Sequence, residues 1–494
     1  MTVRTVVIHV LRVSLPLLVL AACATVPDAT SPSTPPGCAH GAFGIEPTDI
    51  SLAFRASRPG SEALVGAVVG EVIPGSPAEK AGVRAGDLIV RVEEREITNA
   101  CDAIDALFGG SCAPVSVAVS RNAVNVQLTM IPVEVKPFLS TACKRGTVAA
   151  CFRLAWMTWS GSGVAKNEAR ALSLYDDACS DGSAEACAYL GYHMMSQSEP
   201  ADQVVRVLAR ACSLGSGAGC AHLGFMYATG TLVQRDDAMS TPIYVRACEL
   251  GDARGCYNVG IMYRDGRGIP VDTDRAITAY ELGCRAGSST ACTDLGWYYQ
   301  YGESVEQNEA RAADLYRRGC EGTHCQPPNR RGCVNMGLTY KDGVGVDKDP
   351  QRAAEIFKAA CETETDPDDV DPEENRWHAC SLLGSMYLIG GELPSDLQLG
   401  REFSLRGCEG RDAFGCFNAA VVFAVGMGVD VDMTEAARYY KFACDLDDAE
   451  ACSALGQLYA SGSGVEKDLT RAKQLFEEAC AAGFREACGR ARNP

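Results

Sequence analysis

The chain has 494 residues, is 47% hydrophobic and 22% charged, and carries a formal net charge of -18. This length and mixture suit roughly two to four globular domains. An acidic balance without a basic stripe excludes nucleic acid as a partner. Twenty-five cysteines exclude a reducing cytosol and point to an oxidising compartment.

At the N-terminus, Arg4 and Arg12 precede an apolar run, Val13 to Ala22, that is too short to span a bilayer. The run ends Leu20-Ala21-Ala22-Cys23, which resembles the bacterial lipobox. That resemblance implies a lipoprotein signal peptide over residues 1–22 and lipidation of Cys23, which becomes the mature N-terminus. Ala24 follows, not Asp, implying outer-membrane sorting with the chain facing the periplasm or the cell surface. The several acyl chains of such an anchor hold firmly where a single chain would not. Residues 23–40 hold Pro27, Pro32, Pro35 and Pro36 and read as a disordered tether.

Residues 41–137 change character. Short β-like runs, Leu64 to Val72, Leu88 to Val92, Val115 to Val119 and Val124 to Met130, alternate with turn signals. Between the first two lies Val72-Ile73-Pro74-Gly75-Ser76-Pro77-Ala78-Glu79-Lys80-Ala81-Gly82-Val83-Arg84-Ala85-Gly86-Asp87. This string resembles a PDZ domain of the bacterial periplasmic type, with a short helix at Pro77 to Ala81. Such domains add a peptide strand to a sheet edge and hold its C-terminal carboxylate on backbone N–H groups. Carried over by position, Phe43, Gly44 and Ile45 would hold the carboxylate, and Ile104 and Leu107 would line the groove. Cys101 and Cys112 flank the groove helix and are candidates to pair.

From residue 141 the cysteines fall in pairs eight apart: Cys143 with Cys151, Cys179 with Cys187, Cys212 with Cys220, Cys248 with Cys256, Cys284 with Cys292, Cys408 with Cys416, Cys444 with Cys452 and Cys480 with Cys488. On one continuous helix such residues are roughly 12 Å apart in rise. A disulfide needs Cα atoms about 4.4–6.8 Å apart, so bridged pairs require the chain to reverse between them. Intervening sequences such as Glu249-Leu250-Gly251-Asp252 supply the helix stop. Each bridge then staples the end of one helix to the start of the next.

The repeat itself is legible in three aligned stretches. Residues 256–268 read Cys-Tyr-Asn-Val-Gly-Ile-Met-Tyr-Arg-Asp-Gly-Arg-Gly, residues 333–345 Cys-Val-Asn-Met-Gly-Leu-Thr-Tyr-Lys-Asp-Gly-Val-Gly, and residues 452–464 Cys-Ser-Ala-Leu-Gly-Gln-Leu-Tyr-Ala-Ser-Gly-Ser-Gly. Each predicts a helix, a Gly-x-Gly loop and a second helix. They resemble the Sel-one-like repeats, relatives of tetratricopeptide repeats, and the cysteine spacing resembles the Helicobacter cysteine-rich proteins. The fold class this implies is mainly α: a disulfide-stapled α/α-solenoid over residues 141–494, about nine repeats plus a C-terminal cap, behind a small α+β PDZ domain. Three irregularities interrupt it. The unit 187–212 has lost its Gly-x-Gly loop, an insertion after Cys320 carries Cys325, and an insertion separates Cys361 from its expected partner Cys380. Either Cys320 or Cys325 can partner Cys333, and Cys38 is unassigned.

Candidate chemistry is sparse. Cys320, His324, Cys325 and Cys333 read as disulfide chemistry before metal ligation, and the acidic run from Asp366 to Glu374 reads as a solvated insertion. The Helicobacter likeness implies a second reading, β-lactam binding or weak hydrolysis, but no Ser-x-x-Lys occurs to acylate. No catalytic residue, metal or cofactor is assigned. Solenoids bind through an extended concave face. If positions one, five and eight after the first-helix cysteine face inward, Trp156, Tyr192, Tyr257, Arg264, Trp297 and Gln300 meet a partner, and aromatic and Arg side chains are the usual interface anchors. The resulting reading is a non-enzymatic, lipid-anchored scaffold that binds proteins or peptide C-termini of the cell envelope.

Overall fold

A computed structural model describes residues 50–52, 67–69, 72, 77–84, 87–97, 115–121, 124–130, 135–161, 164–322, 328–363, 373–390 and 393–492. Cys23, Cys38, Cys101, Cys112, Cys325 and the groove residues Phe43, Gly44, Ile45, Ile104 and Leu107 lie outside these.

The first region is an antiparallel sheet of β1 (Ile50–Leu52), β2 (Ala67–Val69), β3 (Leu88–Val92), β4 (Arg95–Glu96), β5 (Val115–Arg121) and β6 (Val124–Met130). Its order is β1-β2-β3-β5-β6, with β4 paired to β3. The helix α1 (Pro77–Ala81) falls on the predicted residues and lies against β6. Strand β5 runs two residues beyond the expected Val119 because its register with β6 continues to Arg121↔Val124. Asp87, just before β3, has a clear physical role. Asp87 is buried and takes Nε and Nη2 of Arg121 at 2.6 Å each, while Arg121 also donates to the Gly82 carbonyl. A two-pronged guanidinium–carboxylate pair of this kind fixes orientation as well as charge. It ties the turn after α1 to the end of β5.

The second region is helical. Helix α2 (Val135–Lys144) leads into nine successive pairs: α3 (Val148–Ser160) with α4 (Glu168–Ser180), α5 (Ala184–Ser196) with α6 (Ala201–Ser213), α7 (Gly217–Thr229) with α8 (Asp237–Glu249), α9 (Ala253–Asp265) with α10 (Thr273–Arg285), and α11 (Ser289–Tyr301) with α12 (Glu309–Glu321). They continue with α13 (Arg330–Asp342) and α14 (Pro350–Glu362), α15 (Glu373–Ile389) and α16 (Leu397–Glu409), α17 (Ala413–Val425) and α18 (Met433–Cys444), then α19 (Ala449–Ser461) and α20 (Leu469–Ala481). The short α21 (Arg485–Arg490) closes the stack.

Two features make each pair. The fifth residue of the first-helix motif is glycine because an aromatic ring of the second helix rests on the helix backbone there. A Cβ on Gly260 would stand 2.5 Å from Cε1 of Tyr280, and Tyr280 is fully buried. Gly296 sits likewise on Tyr316, Gly337 on Phe357 and Gly456 on Phe476. In the loop, Gly268 has φ +71° and its Cβ would meet the carbonyl oxygen of Asp237 at 2.3 Å. Only glycine combines that dihedral with that approach.

Among the described residues, ten disulfides join successive pairs, each from the end of one helix into the first helix of the next unit. Cys143 is bonded to Cys151, Cys179 to Cys187, Cys212 to Cys220, Cys248 to Cys256 and Cys284 to Cys292. Further along, Cys408 is bonded to Cys416, Cys444 to Cys452 and Cys480 to Cys488. At the two insertions Cys320 is bonded to Cys333, 13 residues on, and Cys361 to Cys380, 19 residues on. The Cα separations nonetheless stay between 4.3 Å at Cys248–Cys256 and 4.9 Å at Cys361–Cys380, so the inserted residues leave the join itself unchanged.

Neighbouring first helices pack on one another, as α5 does on α7 and α15 on α17, whereas neighbouring second helices scarcely meet. The stack therefore bends towards its first helices, which line the concave side.

Candidate functional site

The exposed row of the first helices fixes which residues face out of the concave side. On α11, Cys292 and its flanks Ala291 and Thr293 are buried, and so are Leu295, Gly296, Tyr298 and Tyr299. Trp297 is 41% exposed and Tyr301 61%. The exposed positions of α11 thus lie five and nine after the first-helix cysteine, and the positions two before and two after it continue the same face beneath the surface. These are the three- and four-residue steps of one helical face. Of the expected one, five and eight, position five is kept, and position one, Thr293 on this helix, turns under the cysteine into the packing between helices.

The first-helix cysteines take no part in that row. Cys151, Cys187, Cys220 and Cys416 are buried and Cys488 is half-buried, each consumed in its bridge to the preceding helix. Their role is to hold the join, not to meet a ligand.

The six expected contact residues separate by their tertiary surroundings and not by position alone. Trp156 is buried with the guanidinium of Arg153 4.0 Å above its ring, and presents no face to a partner. Tyr192 is half-buried and packs, tilted by 31°, against His222 of the next first helix at 4.9 Å. Tyr257 is half-buried as well, against Tyr280 at 5.9 Å. Arg264 and Trp297 are exposed, and Gln300 is half-buried, accepting from the Tyr316 hydroxyl at 2.6 Å. The structure brings Arg264, Trp297 and Gln300 to one place.

That place is centred on Asp294, a buried carboxylate that sequence reading missed. Its Oδ1 accepts from Nη2 of Arg331 on α13, and its Oδ2 stands 4.0 Å from Nη1 of Arg264 on α9. One carboxylate thereby joins three consecutive repeats. Arg264 also gives Nε to Asp265 Oδ1 at 2.7 Å and Nη2 to Oδ2 at 3.1 Å, and these bonds hold its guanidinium charged. Burial, with the Asp294 charge adding to it, keeps the Tyr257 phenol protonated well above its ordinary range. Trp297 and Tyr301 stand beside this network with ring centroids 5.1 Å apart.

The flanks of the face differ in charge. On the N-terminal side, burial raises the Glu185 carboxyl to about 7, with Asp252 adding to the rise and the bond from Ser216 opposing it. Burial and then the Arg254 charge hold His222 well below its usual value, so it is neutral. On the C-terminal side, burial would raise Asp412, but His378, whose Nδ1 lies at 3.0 Å, together with Ser381 and the Gly415 N–H, holds the carboxyl low. Ile389 and Val425 are exposed at the nine-after position there.

For metals, Cys444, Cys452 and Glu478 are the one close group of ligand types among the described residues, and both cysteines are consumed in a disulfide. Cys320 is likewise bonded, and His324 and Cys325 lie outside the described residues. Among the described residues, no helix is long and apolar enough to cross a membrane.

Comparison with known proteins places this geometry. A PDZ domain model matches residues 68–118. A Sel1 repeat model matches 148–183, 217–252, 253–288, 289–324, 331–362, 377–412, 413–448 and 449–484, together more than half of the chain. The bridges Cys248–Cys256 and Cys284–Cys292 therefore cross the boundary between one matched stretch and the next. Among solved structures, c5321, a protective antigen of uropathogenic Escherichia coli with an SLR fold, is 22% identical over 73% of this chain and 82% of that one, with a TM-score of 0.53. Helicobacter pylori cysteine-rich protein B is 30% identical over 29% of this chain and 94% of its own, with a TM-score of 0.23. A Sel1 repeat protein from Oxalobacter formigenes is 20% identical over 65% and 89%, with a TM-score of 0.48. No curated protein matches the chain.

Proposed function

Because the chain belongs to the Sel1 repeat family and carries a PDZ domain ahead of its repeats, we propose that it is a lipid-anchored extracytoplasmic scaffold that holds two protein partners at once. The PDZ groove takes a peptide end. The concave face of the first helices takes a second protein, with Trp297 and Tyr301 as its anchors. The observation that carries this reading is the exposure of those two rings beside Arg264, since aromatic and Arg side chains concentrate binding energy in interfaces. The run of disulfides suits an oxidising compartment outside the cytoplasm. Cys23 supplies the anchor, and the outer membrane is the expected destination.

Cross-linking in the native envelope, followed by identification of the captured proteins, tests the scaffold. Trp297→Ala with Tyr301→Ala is expected to reduce capture of a concave-face partner about tenfold or more, the loss typical of truncating aromatic anchors, while the helical spectrum stays unchanged. Undiminished capture would contradict the concave-face assignment. The anchor is tested separately: Cys23→Ser should move the protein from the membrane fraction to the soluble one, and retention in the membrane would refute lipidation there.

A further inference from the structure

We propose that the first-helix ends of the seventh and eighth repeats form a further docking patch, which receives a basic, amphipathic segment of a partner protein. This patch lies two repeats beyond Trp297 and is separate from both sites of the scaffold reading. Three aliphatic side chains build it. Ile389 and Val425, the last residues of α15 and α17, are 81% and 66% exposed, and Val431 is 59% exposed. Because α15 packs on α17, the first two stand one helix spacing apart, about 8–10 Å. Val431 folds back beside Val425, since a Cβ on Gly426 would stand 3.0 Å from its Cγ2. At the same position α9, α13 and α19 end on Asp265, Asp342 and Ser461. Two consecutive aliphatic ends with a third side chain between them make a contiguous apolar patch, which marks an interaction site where singly scattered residues do not.

Charge selects the occupant. The connections that follow the two helices, 390–396 and 426–432, contain neither lysine nor arginine. A Cβ on Gly428 would stand 3.0 Å from that of Leu397, so the second connection lies against the end of the first. Asp396, Asp430 and Asp432 are exposed on them and make no ion pair among the described residues. Asp396 and Asp432 each use Oδ1 to cap the following helix and keep Oδ2. The dipole of each capped helix offsets about half a charge, which leaves an excess of about two negative charges around the aliphatic side chains. A second copy of this chain would set like charges against each other across a two-fold contact. A segment with aliphatic side chains on one side and lysine or arginine beside them satisfies both parts of the patch. On a helical segment residues i and i+7 are about 10.5 Å apart, close to the spacing of Ile389 and Val425.

Fluorescence anisotropy of labelled peptides on the full-length, disulfide-intact chain tests this. Three probes are used: an amphipathic leucine–lysine helix, its Lys→Glu counterpart and its Leu→Ser counterpart. The leucine–lysine probe is expected to bind and to weaken about tenfold when Ile389→Ser and Val425→Ser remove the apolar contact. Asp430→Asn, which touches no helix cap, should weaken it about threefold at low salt, a loss that fades as salt screens the charge. Equal binding of either counterpart peptide, or indifference to Ile389→Ser with Val425→Ser, would overturn the proposal. So would an equal loss with Trp297→Ala and Tyr301→Ala, which would put the probe at the centre of the face. Sedimentation with phosphatidylethanolamine–phosphatidylglycerol vesicles that depends on Ile389 and Val425 would give the patch to a lipid surface and overturn it as well. The scaffold reading stands or falls on Trp297 and Tyr301, whose replacement is expected to leave this binding unchanged.

Discussion

The second and fourth repeats hold the same helix pair by different means. In the fourth, Gly266 ends α9, Gly268 turns beneath Asp237, and the Asp272 side chain accepts from the Arg275 N–H to start α10. In the second, α5 ends on Gln197, Ser198 takes the left-handed conformation with φ 55°, and Pro200 opens α6 without a side-chain cap. The fourth packs Gly260 on a tyrosine ring, whereas Gly191 of the second faces Leu208. The family model passes over residues 184–216 altogether. Yet both repeats carry a bridge at each end. The repeat is therefore over-determined: the loop can be lost if the staples remain.

The largest expected effect comes from removing those staples. Replacing both pairs that bound the second repeat, Cys179 with Cys187 and Cys212 with Cys220, by alanine should cost about 2–3 kcal/mol per bridge. It should open the 197–200 connection to protease before any other site in the helical region. The same replacement around the fourth repeat should leave its loop resistant, because ring, loop glycines and cap persist. Equal protease sensitivity of the two variants would show that the bridges do not compensate for the missing loop.

Packing ranks next. Gly260→Ala drives a methyl into the wedged ring of Tyr280 and should cost about 2 kcal/mol, within the range for overfilling a packed site. Gly191→Ala meets the flexible end of Leu208 and should cost less than half as much. Chemical denaturation of the two variants checks the ratio, and parity would remove the ring-on-glycine argument.

Glu185 distinguishes the second repeat by pH. Its folded-state carboxyl is raised to about 7 from an ordinary 4.5. Below the lower value both states hold the proton and the group does not penalise folding. As pH rises between the two values the unfolded state ionises first, so stability falls, by on the order of 2 kcal/mol. Glu185→Gln should flatten this decline and make the chain more stable than the parent at pH 8. The corresponding −2 residue of the fourth repeat, Arg254, keeps its charge throughout that range, so the fourth repeat has no matching decline of its own. A parent melting temperature that does not fall between pH 5 and 7.5 would show that Glu185 is solvated.

The same contrast explains what could be read in advance. Cysteine spacing and the glycine–aromatic pattern report backbone geometry, and both predicted the helix pairs. Spacing alone misleads at one bridge, since Cys325 stands eight before Cys333. Cys320 holds the bond instead because it occupies the penultimate position of α12, as Cys284 does in α10. The concave face was less legible. Asp294 and Arg331 look like ordinary helix surface until the bend brings three repeats together, and Tyr301 was missed because the expected face stopped at position eight. Trp156 fitted the register but is covered by Arg153, a tertiary contact that no periodicity encodes.

The smallest effect is the most pointed test of the comparison. If the second repeat tolerates its short connection only because bridges and packing force it, the strain should sit at Ser198, whose φ of 55° favours glycine. Ser198→Gly removes the Cβ conflict but gives the unfolded chain more freedom, and these oppose each other. With the conformation already left-handed, the first should win by about 0.5 kcal/mol. The gain should shrink once the Cys212–Cys220 bridge is replaced, because the turn is then freer to relax on its own. A loss of stability in both backgrounds would mean that the turn is relaxed as it stands, and that the second repeat is a settled alternative connection and not a forced one.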